Sequence, residues 1–545
     1  MVAAEGKSAV AENRSPAVDV DVVVIGAGFA GLRHLYDLRQ HGLSARCFDE
    51  APEIGGVWYW NRYPGARTDS QSWIFAYSFS EELQNDWTWS ERYTPQHEIY
   101  AYLNHVADRF GLRDQVTLGT RVASARYDDE RELWVVTTDS GEEVTTRFVV
   151  SATGPLSAAY KPDFKGVDDF RGEWYMTARW PEDGVDLSGK RVAVIGTGAS
   201  AVQLIPTIAH TAAHVTVFQR TPNYVIPARN ATLHENERES IRERYPDIWK
   251  RAREQVFGFD LGLAGRTFDD VTSEEMQLIL ERGWEIGGFH FVFETFDDVF
   301  TDERTNEVVS EFIRNKIRTI VKDEATAELL CPKDYPFCGK RPPLGHFYYE
   351  TFNRDNVSLV DVSQEPISEI TETGVKVGEQ VHEADVIIFA TGFDAATGAI
   401  TRMDIRGRGG VSIADKWKDG PSTYLGVAVN DFPNFFMILG PHVPFANAPV
   451  VIEDASEWIA NLIRYMRDRE LTVSNASAEA SDEWRDTLTG ILNDTVVAKG
   501  RNNYFLGDNI PGKAHAPLFY LGGVKRYRDA LLKESANDYP GFVMS

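Results

Sequence analysis

"VDVVVIGAGFAGL", residues 20–32, decides the fold. Its apolar run ends at Gly26, and Gly28 and Gly31 follow. An unbroken apolar strand is one covered on both faces, as in a parallel sheet. The glycines allow a tight turn and close approach of the backbone to a pyrophosphate, at which the next helix points its N-terminus. A second short run, "SARCFD", ends at Asp49, 23 residues after Gly26. A carboxylate there is placed to bind the ribose hydroxyls of an adenine dinucleotide. A glycine triplet alone also fits a merely tight turn. Strand, helix pattern and acid together select the nucleotide reading.

"KRVAVIGTGASAV", residues 190–202, repeats the pattern with Gly196, Gly198 and Ala201. Its partner run, "HVTVFQRT", ends in Gln219, Arg220 and Thr221, with no acid. A carboxylate would repel a 2′-phosphate, whereas Arg pairs with one. The second loop therefore reads as NADP-specific, with Arg220 and Thr221 at the cofactor. The other reading of Arg220 is a solvated surface arginine.

"FVVSATGP" (148–155) and "DVIIFATGFD" (385–394) are buried strands ending in Ala-Thr-Gly. They resemble the crossings between the nucleotide domains of two-dinucleotide flavoproteins. The expected fold is α/β, with two Rossmann-like dinucleotide-binding domains. The first is discontinuous (19–152 and 390–545). The second covers 153–224 and 331–389 and carries a helical insertion over 225–330. In the insertion, Thr272 and Glu275 form a capping box and Gly287-Gly288 is a stop. Val309, Phe312, Ile313, Ile317, Ile320 and Val321 share one helical face, and Ile459, Leu462, Ile463 and Met466 share another; both read as core.

Bulk properties narrow the function. The 545 residues carry a formal net charge of -26, which disfavours nucleic acid and anionic membrane surfaces. Three cysteines make no disulfide framework, so a cytoplasmic setting is expected. No apolar run approaches the roughly 20 residues that span a bilayer. Residues 1–18 are small and polar and read as a disordered tail. No metal site is expected. The oligomeric state stays open, between a monomer and a weak oligomer.

The stretch after the first unit, "GGVWYWNRYPGARTDS" (55–70), lacks the cysteine pair of a flavin disulfide reductase. An amine-oxidase type would not need the second loop. What remains is an enzyme that moves hydride from NADPH to a flavin and electrons on to oxygen. "FRGEWYMTARWP", residues 170–181, sharpens this. Phe170, Gly172, Trp180 and Pro181 match the fingerprint of the Baeyer–Villiger monooxygenases. The resemblance spans nearly the whole chain. It includes both loops, "KRPP" (340–343), "FATGFDAATG" (389–398), "FNRDNV" (352–357) and "NIPGK" (509–513). It is nearest the cyclohexanone and cyclopentadecanone monooxygenase group. It departs at the fingerprint His, which is Met176, and at a Trp near the nicotinamide, which is Tyr504.

The resemblance implies FAD and NADPH as cofactors, a ketone and O2 as reactants, a C4a-peroxyflavin, and an ester or lactone product. It makes Arg341 the cation that stabilises the oxygenated intermediates, and Asp69 the carboxylate that holds it. An anionic nucleophile and an alkoxide both need a fixed cation in a dry site, and Arg keeps its charge when buried. Without the family, "KRPP" is a basic turn and Asp69 a turn residue. Gly56, Trp58, Arg67, Asp69 and Tyr504 are the implied cofactor neighbours, and Lys340 the 2′-phosphate contact beside Arg220. Leu156, Leu439, Phe445, Ala446, Ala448 and Phe519 match the ketone wall, or are plain core. The small Ala446 and Ala448 suggest room for a bulky or polycyclic ketone. The alternatives are an S- or N-oxygenase on this scaffold and a degenerate flavoprotein that leaks peroxide.

Overall fold

A computed structural model describes residues 17–545; all but the last two residues of the tail expected over 1–18 lie outside the described residues. The opening stretch folds as strand Val20–Ile25 followed by helix Phe29–Gln40. The strand runs parallel to Ala45–Phe48 on one side and to Glu143–Ser151 on the other. Two strands of the same sheet come from far along the chain. Asp404–Arg406 pairs with Val122–Asp128, and Phe435–Met437 pairs with Glu143–Ser151. The first nucleotide unit is therefore discontinuous, closed by the C-terminal part of the chain.

The second sheet is parallel throughout, in the order Val357–Asp361, His214–Gln219, Arg191–Ile195, Val386–Phe389, Glu173–Met176. Helix Ala199–Ile208 follows its glycine loop. The chain passes between the units twice, and the two crossings lie side by side. Tyr160 N–H donates to the Gly392 carbonyl (3.0 Å), and Asp394 N–H donates to the Ala158 carbonyl (2.9 Å). Each crossing also presses on one loop. A Cβ on Gly26 would stand 2.6 Å from the Ala152 carbonyl oxygen, and one on Gly196 2.5 Å from that of Ala390. Both glycines hold positive φ, +107° and +113°, so glycine is required there on two counts.

Between the two halves of the second unit lie helices Glu235–Glu254, Ser273–Ile286, Glu303–Ile320 and Glu324–Leu330. The capping box is present: Thr272 Oγ1 accepts from Glu275 N–H (3.3 Å), and Glu275 Oε2 from Thr272 N–H (2.8 Å). Val309, Phe312, Ile313 and Ile317 are buried on one face of the third helix. Strand Ile226–Pro227 pairs with Leu344–Gly345, so the chain enters and leaves this region at neighbouring points.

The stretch 170–181 is more than a connector. Glu173–Met176 is an edge strand of the second sheet, with Met176 opposite Phe389. The chain then turns and grips the first unit. Arg179 pairs with Glu50 and stacks 4.1 Å from the Trp60 ring centroid, and Trp180 N–H donates to the Trp60 carbonyl (3.1 Å). Sequence pattern did not reveal this strand, because its short run alternates no further than its partner requires and sits at a sheet edge. No helix among the described residues is long and apolar enough to cross a membrane.

Candidate active site

A cavity of about 1100 Å³ opens between the two glycine loops and the helical region. On the side of the first unit it is lined by Gly26, Gly28, Asp49, Gly56, Trp58, Arg67 and Asp69. On the other side stand Gly196, Gly198, Arg220, Thr221, Lys340 and Arg341. Tyr504, Leu156, Leu439, Phe445, Ala446 and Ala448 complete the expected set. Three expected residues stand behind this surface. Gly31 lies under the loop, where a Cβ would overlap the Gly26 carbonyl oxygen. Ala201 is fully buried. Phe519 packs edge-on behind Phe445, with centroids 5.4 Å apart and planes at 74°.

Arg341 is ion-paired to Asp69 Oδ2. Gln203 Nε2 donates to the other oxygen of that carboxylate, at 3.2 Å. Burial works against the Arg341 charge, but Asp69 and the Tyr504 hydroxyl outweigh it and hold the guanidinium pKa above its ordinary value. Burial raises the Tyr504 phenol, partly offset by Arg341. The result is a fixed cation facing a largely apolar chamber, where its field is weakly screened.

Lys340 differs. Burial, then the nearby Arg220, lowers its pKa to about 8. Two cations thus face each other beside the second loop, with no carboxylate among the causes acting on Lys340. Gln219 leaves the place of the missing acid, its Nε2 donating to the Leu329 carbonyl at 2.7 Å. Such a pair is suited to a dianion.

Asp49 is tied to its own loop. Its oxygens accept from Ala27 N–H (2.6 Å) and Ala51 N–H (2.8 Å). Burial raises its pKa, and these bonds oppose the rise. A carboxylate has further lone pairs, so ribose hydroxyls are still within its capacity. Arg67 lines the cavity, but its guanidinium donates to Glu91 (2.9 Å) and the Tyr93 carbonyl (3.2 Å).

Several residues were missed from sequence. Gln203 was hidden in an apolar helix, although a lone polar residue in such a run was the available signal. Phe257, Phe293 and Phe300, from the helical region, form an aromatic wall of the cavity. Phe293 and Phe300 stack with centroids 6.0 Å apart. The dense aromatics of "FGF" and "GGFHFVF", off any helical period, were its mark.

The residues fit two dinucleotides. Each loop opens a helix N-terminus onto the cavity. A Cβ on Gly198 would meet nothing within 4 Å, leaving free space above the second loop. Buried Asn509 Oδ1, on a cavity residue, has no partner within the chain. Asp49 at one loop and Lys340 with Arg220 at the other suit FAD and NADPH respectively.

Comparison with known proteins agrees with this geometry. Residues 19–233 match the family described as flavin-binding monooxygenase-like. A Baeyer–Villiger monooxygenase of Pseudooceanicola batsensis is 44% identical over 529 residues, covering 96% of both chains. A phenazine N-monooxygenase of Lysobacter antibioticus is 42% identical over 527 residues, covering 96% of this chain and 97% of that one. The crystal structure of a cyclohexanone monooxygenase from Rhodococcus bound to NADP+ superposes with a TM-score of 0.94 at 43% identity, covering 96% of this chain and 99% of that one. With two dinucleotide loops on one cavity and likeness along nearly its full length, the chain belongs to the Baeyer–Villiger flavoprotein monooxygenases, enzymes that work with FAD, NADPH and oxygen.

Proposed function

We propose that the enzyme inserts one oxygen atom beside the carbonyl of a ketone, giving an ester or lactone. The observation that carries this is Arg341, a guanidinium fixed by Asp69 at the edge of an apolar chamber. FAD, reduced by NADPH, supplies the activation of oxygen. The chain's own residues do the rest. Arg341 offers a fixed positive charge where an alkoxide develops on the former carbonyl oxygen. Asp69 keeps the guanidinium aimed and offsets the cost of burying it alone. Leu156, Leu439, Phe445 and the aromatic wall hold the apolar body of the ketone and keep water out. Ala446 and Ala448 leave room for a bulky or polycyclic cyclic ketone. Lys340, Arg220 and Thr221 bind NADPH by its 2′-phosphate end. The free, buried Cys47, Cys331 and Cys338 fit a reducing cytoplasm.

The test is Arg341→Ala, assayed for NADPH oxidation, O2 consumption and products by mass against a panel of cyclic ketones. The variant should keep FAD and still oxidise NADPH. Ester formed per NADPH should fall by about 100-fold or more, the loss typical of one stabilising donor. Normal ester yield would remove Arg341 from the reaction. The likeness to a phenazine N-monooxygenase favours a second reading, N-oxygenation of a heteroaromatic amine. That reaction builds no alkoxide on carbon, so an N-oxide yield unaffected in the same variant would favour it.

A further inference from the structure

One side chain fastens the loop that carries Asp69 to the other nucleotide unit. Gln203 lies in helix Ala199–Ile208, just after the second glycine loop, and is 6% exposed. Its neighbours Ala201, Val202, Leu204 and Ile205 are all buried. A buried amide is unfavourable there unless its polar atoms are bonded. They are. Nε2 donates to the Arg67 carbonyl (3.1 Å) and to Asp69 Oδ1 (3.2 Å), and Oε1 accepts from the Tyr63 hydroxyl (2.8 Å). Gly65, between these partners, is pressed on the same helix, where a Cβ would stand 2.5 Å from Thr207 Oγ1. Asp69 is thereby divided: Oδ1 goes to Gln203 and Oδ2 to Arg341.

We infer that Gln203 is a positioning residue that sets the orientation of the Asp69–Arg341 pair from the NADP side. The carboxylate torsion of Asp is broad and roughly two-fold. With Oδ1 unheld, Asp69 would turn and Arg341 would turn with it. With Oδ1 held, the guanidinium faces the chamber only while the helix behind the NADP loop is docked on residues 63–69. This rests on the reading of Arg341 and Asp69 given above. Gln203 also lines the cavity, so a direct role in holding NADPH is the rival account.

Gln203→Met keeps length and bulk and removes the three bonds. Gln203→Glu keeps the acceptor for Tyr63 but sets a second carboxylate against Asp69. Each holoenzyme is measured for NADP+ dissociation constant by equilibrium titration, NADPH oxidation rate, ester per NADPH and hydrogen peroxide released, with Arg341→Ala alongside. Gln203→Met should bind NADP+ within about threefold of native, since a lost hydrogen bond to a protein partner leaves cofactor contacts intact. Its ester per NADPH should fall about tenfold, the missing electrons appearing as peroxide, as expected for about one lost orienting bond to a charged group. Gln203→Glu should fall further. Native ester yield in Gln203→Met, with Arg341→Ala inactive in ester formation, overturns this inference alone. A loss of NADP+ affinity matching the loss of yield overturns it in favour of cofactor binding. Native yield in Arg341→Ala overturns the reading of Arg341, and this inference with it. If Gln203→Met does not fold, Tyr63→Phe removes only the bond to Oε1. It should lower yield about threefold with NADP+ affinity unchanged, a smaller effect because the donors to Asp69 remain; an unchanged yield again overturns the proposal.

Discussion

The two glycine loops share a frame and differ in how tightly they close. In both, the first glycine lies under the carbonyl of a crossing alanine, Ala152 or Ala390. In the first loop the third position is Gly31, pressed on Gly26, whereas the second loop has room for Ala201. A Cβ on Gly28 would stand 3.4 Å from the Gly56 Cα, but one on Gly198 would meet nothing within 4 Å. Asp49 closes the first loop on itself through Ala27 N–H. Nothing equivalent closes the second, where Gln219 turns away. The first loop is therefore built for a resident group and the second for one that comes and goes. Backbone frame states that a dinucleotide binds; a few side chains around it state which one and for how long.

Gly31→Ala attacks the tighter loop and should have the largest effect. The added methyl would overlap backbone, which cannot rotate aside as a side chain can. The variant should be purified with little or no flavin absorbance. Its mirror, Ala201→Gly, should retain full flavin and lower stability by about 1 kcal/mol, the usual helix-interior cost, read as a small drop in melting midpoint. Equal flavin content in the two variants would break the contrast between the loops.

Arg220→Ala tests the open loop. A charge-assisted contact contributes about 1.5–3 kcal/mol, or roughly 10- to 150-fold in affinity. KM for NADPH should rise within that range, toward its lower end because Arg220 is exposed. KM for NADH should hardly move. Equal native turnover with NADH and NADPH would refute the assignment of this loop to NADP.

Much of this was legible in the sequence because it is local. Each loop lies within one strand-turn-helix, and Ala-Thr-Gly marks both crossings. Arg341, Asp69 and Tyr504 came through a resemblance, since nothing in "KRPP" points to a carboxylate 272 residues earlier. What stayed hidden depends on tertiary contact. Gln203 reads as a flaw in an apolar helix until Tyr63 and Asp69 are placed against it. Phe519 reads as a wall residue although Phe445 stands in front of it. Whether a side chain lies in the first or second layer is set by packing between distant segments. No periodicity carries that information.

Lys340 gives the open loop a pH dependence that the closed loop lacks. Its pKa is lowered to about 8 by burial and then by Arg220. A phosphate dianion binds the protonated amine, so affinity is full below that value and is lost as pH rises through it. KM for NADPH should be flat below about pH 8 and then climb, by at most tenfold per pH unit, as one bound proton is lost. Lys340→Arg should flatten the profile, since Arg stays charged. KM for NADH, with no 2′-phosphate, should not follow the curve. A flat native profile to pH 9.5 would separate Lys340 from the phosphate.

The smallest effect belongs to Met176, at the seam between the two loops. It ends the edge strand opposite Phe389 and packs, partly buried, with the cluster of Val167, Phe170 and Ile387. Three residues on, Arg179 grips Glu50, the neighbour of Asp49. Residue 176 therefore stands among the contacts that join the two units and away from the residues lining the cavity. A thioether suits such a place by packing alone. An imidazole would add a donor with no carboxylate in the surrounding apolar cluster to receive it. Met176→His should change turnover or ester per NADPH within about threefold, the scale of a tolerated packing swap. The range of ketones accepted should stay the same, because the chamber wall is untouched. A native enzyme that oxygenates no ketone, and gains that activity only as Met176→His, would show that this seam governs the chemistry and not merely the docking of the units around it.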